Sequence, residues 1–193
     1  MGKFIFYAAS ALVRRSGALA LLLALSACVH TPIAAKNLPA EVLRLNALNE
    51  RTLRVQVLSE AQETAGRQYL AFIIPMGRVT VTRPEEHVWN AAVLRLALAG
   101  IRVAPGADRS APELRLTVSS LRLNAFDFLV TRRVAAEVEV RASWQEREAS
   151  ASGRFSEIRK MGFAPELSGV LERATAIAVG NVLKEIGLLK SSQ

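Results

Sequence analysis

The most regular hydrophobic pattern in the chain runs from Val134 to Trp144. Val134, Ala136, Val138, Val140, Ala142 and Trp144 alternate with Ala135, Glu137, Glu139, Arg141 and Ser143. A period of two predicts a strand with one dry and one wet face, and a wet face implies an antiparallel sheet. Gln145 to Glu148 turns the chain, and Ala149, Ala151, Gly153 and Phe155 predict a second strand of small residues. Upstream, Leu114, Leu116 and Val118 share one phase while Leu121 and Leu123 fall in the other. A bulge near Ser119-Ser120 would return both leucines to the same face. The intervening 124–131 (NAFDFLVT) is expected to be a turn region that presents Phe126 and Phe128.

Nearer the N-terminus, Leu53, Val55 and Val57 alternate with Arg54 and Gln56, which predicts a half-buried strand. The polar segment 59–68 is expected to be a loop. An apolar stretch from Tyr69 to Ile74 follows. Pro75-Met76-Gly77 interrupts it, and a short strand from Arg78 to Val81 resumes it.

Two segments change period to that of a helix. Thr82 and Glu85 have the spacing of a capping box, with Pro84 in the first turn, and a helix is expected to run from there to about Ala99. Trp89, Ala92, Val93 and Leu96 form its stripe; Leu94 and Leu98 lie off it, which implies cover on more than one side. Gly100 is the expected stop, and Ile101 to Val103 leads away as a short extended piece. The second helix is expected from Pro165 to about Ile186, with Leu167, Val170, Leu171, Ala174, Ile177, Ala178 and Val182 buried and Gly187 ending it. Residues 156–164 before it read as irregular. The sum is an α+β fold: a two-layer sandwich of a mostly antiparallel sheet with two helices packed on one face.

The first residues follow a different logic. Arg14 and Arg15 precede the uncharged run Gly17 to Leu25, and Ser26-Ala27-Cys28 follows it. A basic pair, a short apolar run and small residues form the layout of a secretory signal, and the run is too short to span a bilayer. Leu25-Ser26-Ala27-Cys28 resembles a lipobox, the cleavage motif of bacterial lipoproteins. The resemblance implies cutting between Ala27 and Cys28, a diacylglyceryl group on the Cys28 sulfur, and an N-acyl chain, commonly palmitate, on the new amine. Several chains on one residue would hold the protein on a membrane for good, where a single chain would not. Val29 stands where an inner-membrane retention signal of enteric type would place Asp, which implies the outer membrane, facing the periplasm. A second apolar run, residues 4–13, precedes the arginines, and a start of translation near Val13 would give a more compact signal. The expected organisation is a signal at 1–27, a lipidated cysteine and tether at 28–50 in which Pro32 and Pro39 disfavour regular structure, and a single α+β domain at 51–193.

Composition narrows the function. The chain has 193 residues, 51% of them hydrophobic, a net charge of +8 and one cysteine. That cysteine is the expected lipid site, so a disulfide within the mature chain is excluded. Loss of Lys3, Arg14 and Arg15 with the signal leaves the domain basic, which suits anionic lipid or lipopolysaccharide phosphates; nucleic acid is not an expected partner in that compartment. The two histidines, His30 and His87, lie in unrelated contexts, and His87 is expected to be solvated. No nucleophile elbow, metal-ligand spacing or glycine-rich phosphate loop occurs. Glu137 and Glu139 share a row with Arg141 and read as a solvated face. An enzyme is therefore not expected, nor a metal or cofactor beyond the acyl groups.

The order of elements, with Ala99-Gly100-Ile101-Arg102-Val103 closing the first helix and a Leu/Val-striped helix at the end behind a lipobox, resembles the YajG-like lipoproteins, and more distantly the lipopolysaccharide-assembly lipoprotein LptE and the auxiliary lipoproteins of ABC-type transport systems. The resemblance implies a non-catalytic scaffold or accessory subunit of an envelope complex, in lipid or lipopolysaccharide transport or assembly. The alternative is a carrier of lipid or a small apolar ligand, with Trp89, Trp144 and Phe155 filling or lining a gap between the layers. The candidate contact surface, for a protein partner in the envelope or a phosphorylated lipid, is Phe126, Phe128 and Leu129 with Arg132 and Arg133.

Overall fold

The structure is a computed structural model, and it describes residues 30–49, 51–71, 74–104, 110–128, 130–160 and 166–189. Ala27, Cys28, Leu129 and Pro165 lie outside these. In chain order the elements are β1 (His30–Ile33), α1 (Ala40–Leu48), β2 (Arg51–Ser59), β3 (Thr64–Leu70), β4 (Ile74–Val81), α2 (Pro84–Leu98), β5 (Ile101–Ala104), β6 (Glu113–Asp127), β7 (Thr131–Trp144), β8 (Arg147–Lys160) and α3 (Leu167–Glu185).

β6 is the spine of the sheet. One edge pairs along its length with β7, and β7 pairs with β8; both ladders are long and antiparallel. The other edge is shared. Glu113 to Val118 takes β2 in parallel, Ala125 to Asp127 takes β3 in parallel, and the sheet forks there into two arms. One arm continues from β2 to β5; the other continues from β3 to β4 antiparallel and from β4 to β1 parallel. The result is α+β, with α2 and α3 on one face and the opposite face open. The sheet is mixed: its longest ladders are antiparallel as expected, while the short ladders to β2, β5 and β1 are parallel.

The alternation builds the core. Leu114, Leu116, Val118, Leu121, Leu123 and Ala125 of β6 and Val134 to Trp144 of β7 face the helices, against Val170, Leu171, Ala174, Ala178 and Val182 of α3. Each of the larger side chains contributes about 1.5–3 kcal/mol by leaving water. The phase break in β6 is met as the pattern required: the β6–β7 register shifts between Val118 and Ser120, and both leucines beyond it are buried. Gly153 lets α3 lie against β8, since a methyl group there would collide with the backbone of Ala174 and Ala178.

Several boundaries differ from expectation. Segment 59–68 is a loop only over 60–63, because Thr64 to Leu70 pairs on both sides, with β4 and β6, despite its polar composition. Pro75 does not end a strand; it stands inside β4 opposite Tyr69, at a register irregularity. Strand β8 extends to Lys160 through residues expected to be irregular, because β7 offers it a continuous partner. The expected capping box does not form. Arg83, at φ 53°, occupies the N-cap of α2, and no side chain caps it; Pro84 is the first helical residue. Leu98 on α2 and Ile177 on α3 are exposed, while Val179 and Leu183 are buried in α3 instead.

The largest correction concerns the tether. Residues 30–49 belong to the domain. β1 extends the sheet with Ile33 in the core, and Pro32 is tolerated because β1 is an edge strand. Pro39 stands at the N-cap of α1. That helix buries no residue fully; Val42 packs against the core, and Asn46 fastens the helix to β5. The Asn46 amide donates to the Val103 carbonyl at 3.2 Å and accepts from the Val103 N–H at 2.7 Å, so it pairs with β5 as a strand would. The Asn49 amide donates to the Ala97 carbonyl near the end of α2.

Candidate functional site

Phe126, Phe128, Arg132 and Arg133 lie at one end of the sheet, around the β6–β7 hairpin. Phe126 and Arg132 belong to strands, not to a loop, because β6 runs on to Asp127 and β7 begins at Thr131. The turn proper is closed by the Phe128 N–H donating to the Thr131 carbonyl at 2.7 Å. Both phenylalanines are half-buried, neither tucked away nor fully presented. Arg132 Nε is ion-paired with Asp127 at 2.9 Å, whereas Arg133 is exposed.

The fold adds residues that the sequence did not single out. Register places Tyr69 beside Phe126, and the two rings stack with centroids 5.3 Å apart and 12° between planes. Arg133 stands opposite Phe126 on one side and Ile158 on the other. One row across the open face therefore reads Tyr69, Phe126, Arg133, Ile158. Val130 at the turn is 69% exposed, Ile158 is 62% exposed, and Leu70 is also exposed. Tyr69 and Ile158 carried no local signal, since their neighbours in space are distant in sequence.

Farther along the open face most of the charges are paired. Arg54 pairs with Glu113, Arg141 with Glu60, and Arg154 with Glu137 at 2.6 Å. Ser150 Oγ donates to Glu139. Glu137 and Glu139 are thus members of a polar ladder, the arrangement expected of a solvated face. A shallow basin of about 400 Å³ lies here among Arg122, Asn124, Arg133, Glu137 and Arg154.

A second location lies on the helix side. Lys36 to Pro39 crosses the groove between α2 and α3, enclosing a cavity of about 290 Å³ with Leu38, Ala91, Leu94 and Ala176 among its walls. Lys36 fastens the crossing through Glu166 at 3.1 Å and Glu172 at 3.8 Å, and the Asn90 amide donates to its carbonyl. His87 is part of this lining and, contrary to expectation, is only 4% exposed. Among the described residues its Nε2 has no hydrogen-bond partner. Burial holds its pKa below the ordinary value, against the opposing pull of Glu86 and Glu85. Among the described residues no group of His, Cys, Asp and Glu gathers as metal ligands, and no helix is long and apolar enough to cross a membrane.

No family model matches the chain, and no curated protein does. Solved structures give distant likenesses. One, described only as an uncharacterized protein, is 15% identical over 81% of this chain and 100% of its own, with a TM-score of 0.44. The rare lipoprotein B from Shewanella oneidensis is 13% identical over 69% of this chain and 95% of its own, at TM-score 0.34. Lipoprotein GNA1162 from Neisseria meningitidis is 12% identical over 72% and 100%, at 0.33. Likeness at this level assigns neither a family nor an activity, and the YajG-like resemblance remains an expectation from sequence.

Proposed function

We propose that this chain is an envelope lipoprotein, held on the outer membrane by acyl chains on Cys28, and that it serves as a non-catalytic accessory subunit. The observation that carries the reading is Leu25-Ser26-Ala27-Cys28 behind a charged and then apolar leader, followed after one further residue by the first strand of a folded domain. The domain supplies surfaces instead of a reaction centre. On the open face Glu60, Glu113 and Glu137 are tied to arginines and Glu139 accepts from Ser150, and its one buried histidine has no nucleophile or acid described at hydrogen-bonding distance.

The carrier reading fares less well. It requires space between helices and sheet, where Leu116, Val138, Val140, Leu171 and Val182 are fully buried against one another and Trp144 fills the far end. The cavity beneath the 36–39 crossing lies outside that interface and is at the small end of ligand pockets.

The test is mass spectrometry of the mature N-terminus together with metabolic labelling by palmitate. A tri-acylated or di-acylated Cys28 is expected, and Cys28→Ala should leave an unlipidated, uncleaved precursor. A mature protein that begins elsewhere, or carries no fatty acid, refutes the reading.

A further inference from the structure

We propose that the end of the sheet carrying the β6–β7 hairpin rests on the bilayer itself, with its apolar side chains in the headgroup layer and its arginines on anionic lipid phosphates. The inference rests on the lipidation of Cys28 and assigns the candidate surface to the membrane instead of to a protein.

The first argument is where the chain enters the fold. β1 is parallel to β4, with His30 beside Arg78 and Ile33 beside Val81. β4 begins at Ile74, paired with Leu70 at the end of β3, and Leu70 stands beside Asp127 at the end of β6. Asp127 faces Arg132, and Thr131 faces Lys160. The starts of β1, β4 and β7 and the ends of β3, β6 and β8 are therefore all directed to one end. Cys28 precedes His30 by two residues, and two residues span about 7 Å at most. With 30–49 packed into the domain, no tether separates anchor from fold. His30 stands beside Arg78, four residues in from the start of β4 at Ile74, so an acylated Cys28 two residues before it lies nearer this end of the sheet than the opposite one.

The second argument is what this end presents. Leu70, Val130 and Ile158 are exposed here, beside the half-buried Tyr69, Phe126 and Phe128. The strands here carry Arg67, Arg78, Arg132, Arg133, Arg159 and Lys160 against Asp127 and Glu157. Both carboxylates are already taken, Asp127 by Arg132 and Glu157 by Arg159. Among the described residues, Arg67, Arg78, Arg133 and Lys160 are left with no ion pair. Arg67 and Arg78 stand directly opposite each other across β3 and β4, a like-charged pair that costs stability unless an anion lies over it. Farther along the same face, by contrast, Arg54, Arg115, Arg141 and Arg154 are each paired with a glutamate, and Arg102 and Arg122 alone stand there without an ion pair among the described residues. Exposed aliphatic and half-buried aromatic groups flanked by basic residues match the chemistry of an anionic lipid–water interface.

The experiment uses the full lipidated protein in vesicles of phosphatidylethanolamine and phosphatidylglycerol. Val130→Cys carries an environment-sensitive thiol probe, and Glu146→Cys, exposed on the β7–β8 turn at the opposite end, carries the same probe as control. Spin-labelled lipid is expected to quench the Val130 probe severalfold more than the Glu146 probe, and aqueous iodide the reverse. In vesicles of phosphatidylcholine alone the difference should shrink severalfold. Equal quenching at the two positions, with Cys28 of the parent protein blocked to alkylation, overturns the docking and leaves the anchor standing. A parent protein whose Cys28 takes the label overturns both. Photo-crosslinking of position 130 to an envelope protein, with no lipid quenching, assigns the surface to that partner and overturns the proposal.

Discussion

His87 shows how far one residue can depart from its sequence context. It lies among Glu85, Glu86 and Asn90, a polar neighbourhood, yet the 36–39 crossing and α3 close over it. Buried and neutral, it competes poorly for a proton with the same residue in the unfolded chain. As pH falls through about 6.5 the unfolded chain takes up that proton first, so stability should drop on acidification and level off once the folded protein also binds it. Glu86 and Glu85 on its own helix moderate the drop without reversing it; of the groups that face it from the crossing and α3, Lys36 is already paired with Glu166 and Glu172. Urea denaturation between pH 7.5 and 5 should show a slope of up to about 1.4 kcal/mol per pH unit that His87→Leu removes. A slope unchanged in the variant would mean that other groups supply it. The tip residues carry a parallel lesson. Phe126, expected in the turn region, is held in β6 by its pairing with Arg133, whereas Phe128 lies in the turn itself, as expected.

At the level of elements, the alternating strands and striped helices were legible because burial imposes its period on the sequence. The break at Ser119-Ser120 could even be placed to the residue. The misjudged elements are those whose partners lie far away. Strand β3 is polar, β8 ends in charged residues, and α1 buries nothing fully; each is held by hydrogen bonds to strands or helices that no local window contains. Two substitutions test these attachments. Asn46→Ala removes both bonds to Val103 and should lower stability by about 1–3 kcal/mol, with increased amide exchange along β5. Gly153→Ala pushes α3 off β8 and should cost about 1–3 kcal/mol or more in thermal unfolding. Gly153→Ala at parent stability would show that α3 can shift without loss.

For the whole molecule, the decisive fact is direction. The chain's entry at His30 is directed to the end that carries the apolar tip and Arg67, Arg78, Arg133 and Lys160 without ion pairs, and the α1–β5 edge points away from it. On the proposed lipidation of Cys28, the domain would stand at a set orientation to the membrane, not on a lead. A flexible insert of about twenty Gly and Ser residues between Val29 and His30 would add on the order of 25 Å of reach. Folding should be unchanged, and the Val130 probe should move severalfold toward the aqueous quencher. A probe that stays in the lipid would mean that the tip binds the bilayer without help from the short connection.

Sequence alone showed the lipobox-like string Leu25-Ser26-Ala27-Cys28, the class of fold and most of its core, because such a string is read linearly and because burial on one side of a strand or helix leaves a fixed period. Only the tertiary structure decided that residues 30–49 belong to the domain, that β6 shares one edge between two arms, and that Tyr69, Phe126, Arg133 and Ile158 form one row. Those outcomes depend on register between strands distant in sequence. Register is set by the cooperative packing of the whole sheet, and no single segment encodes it.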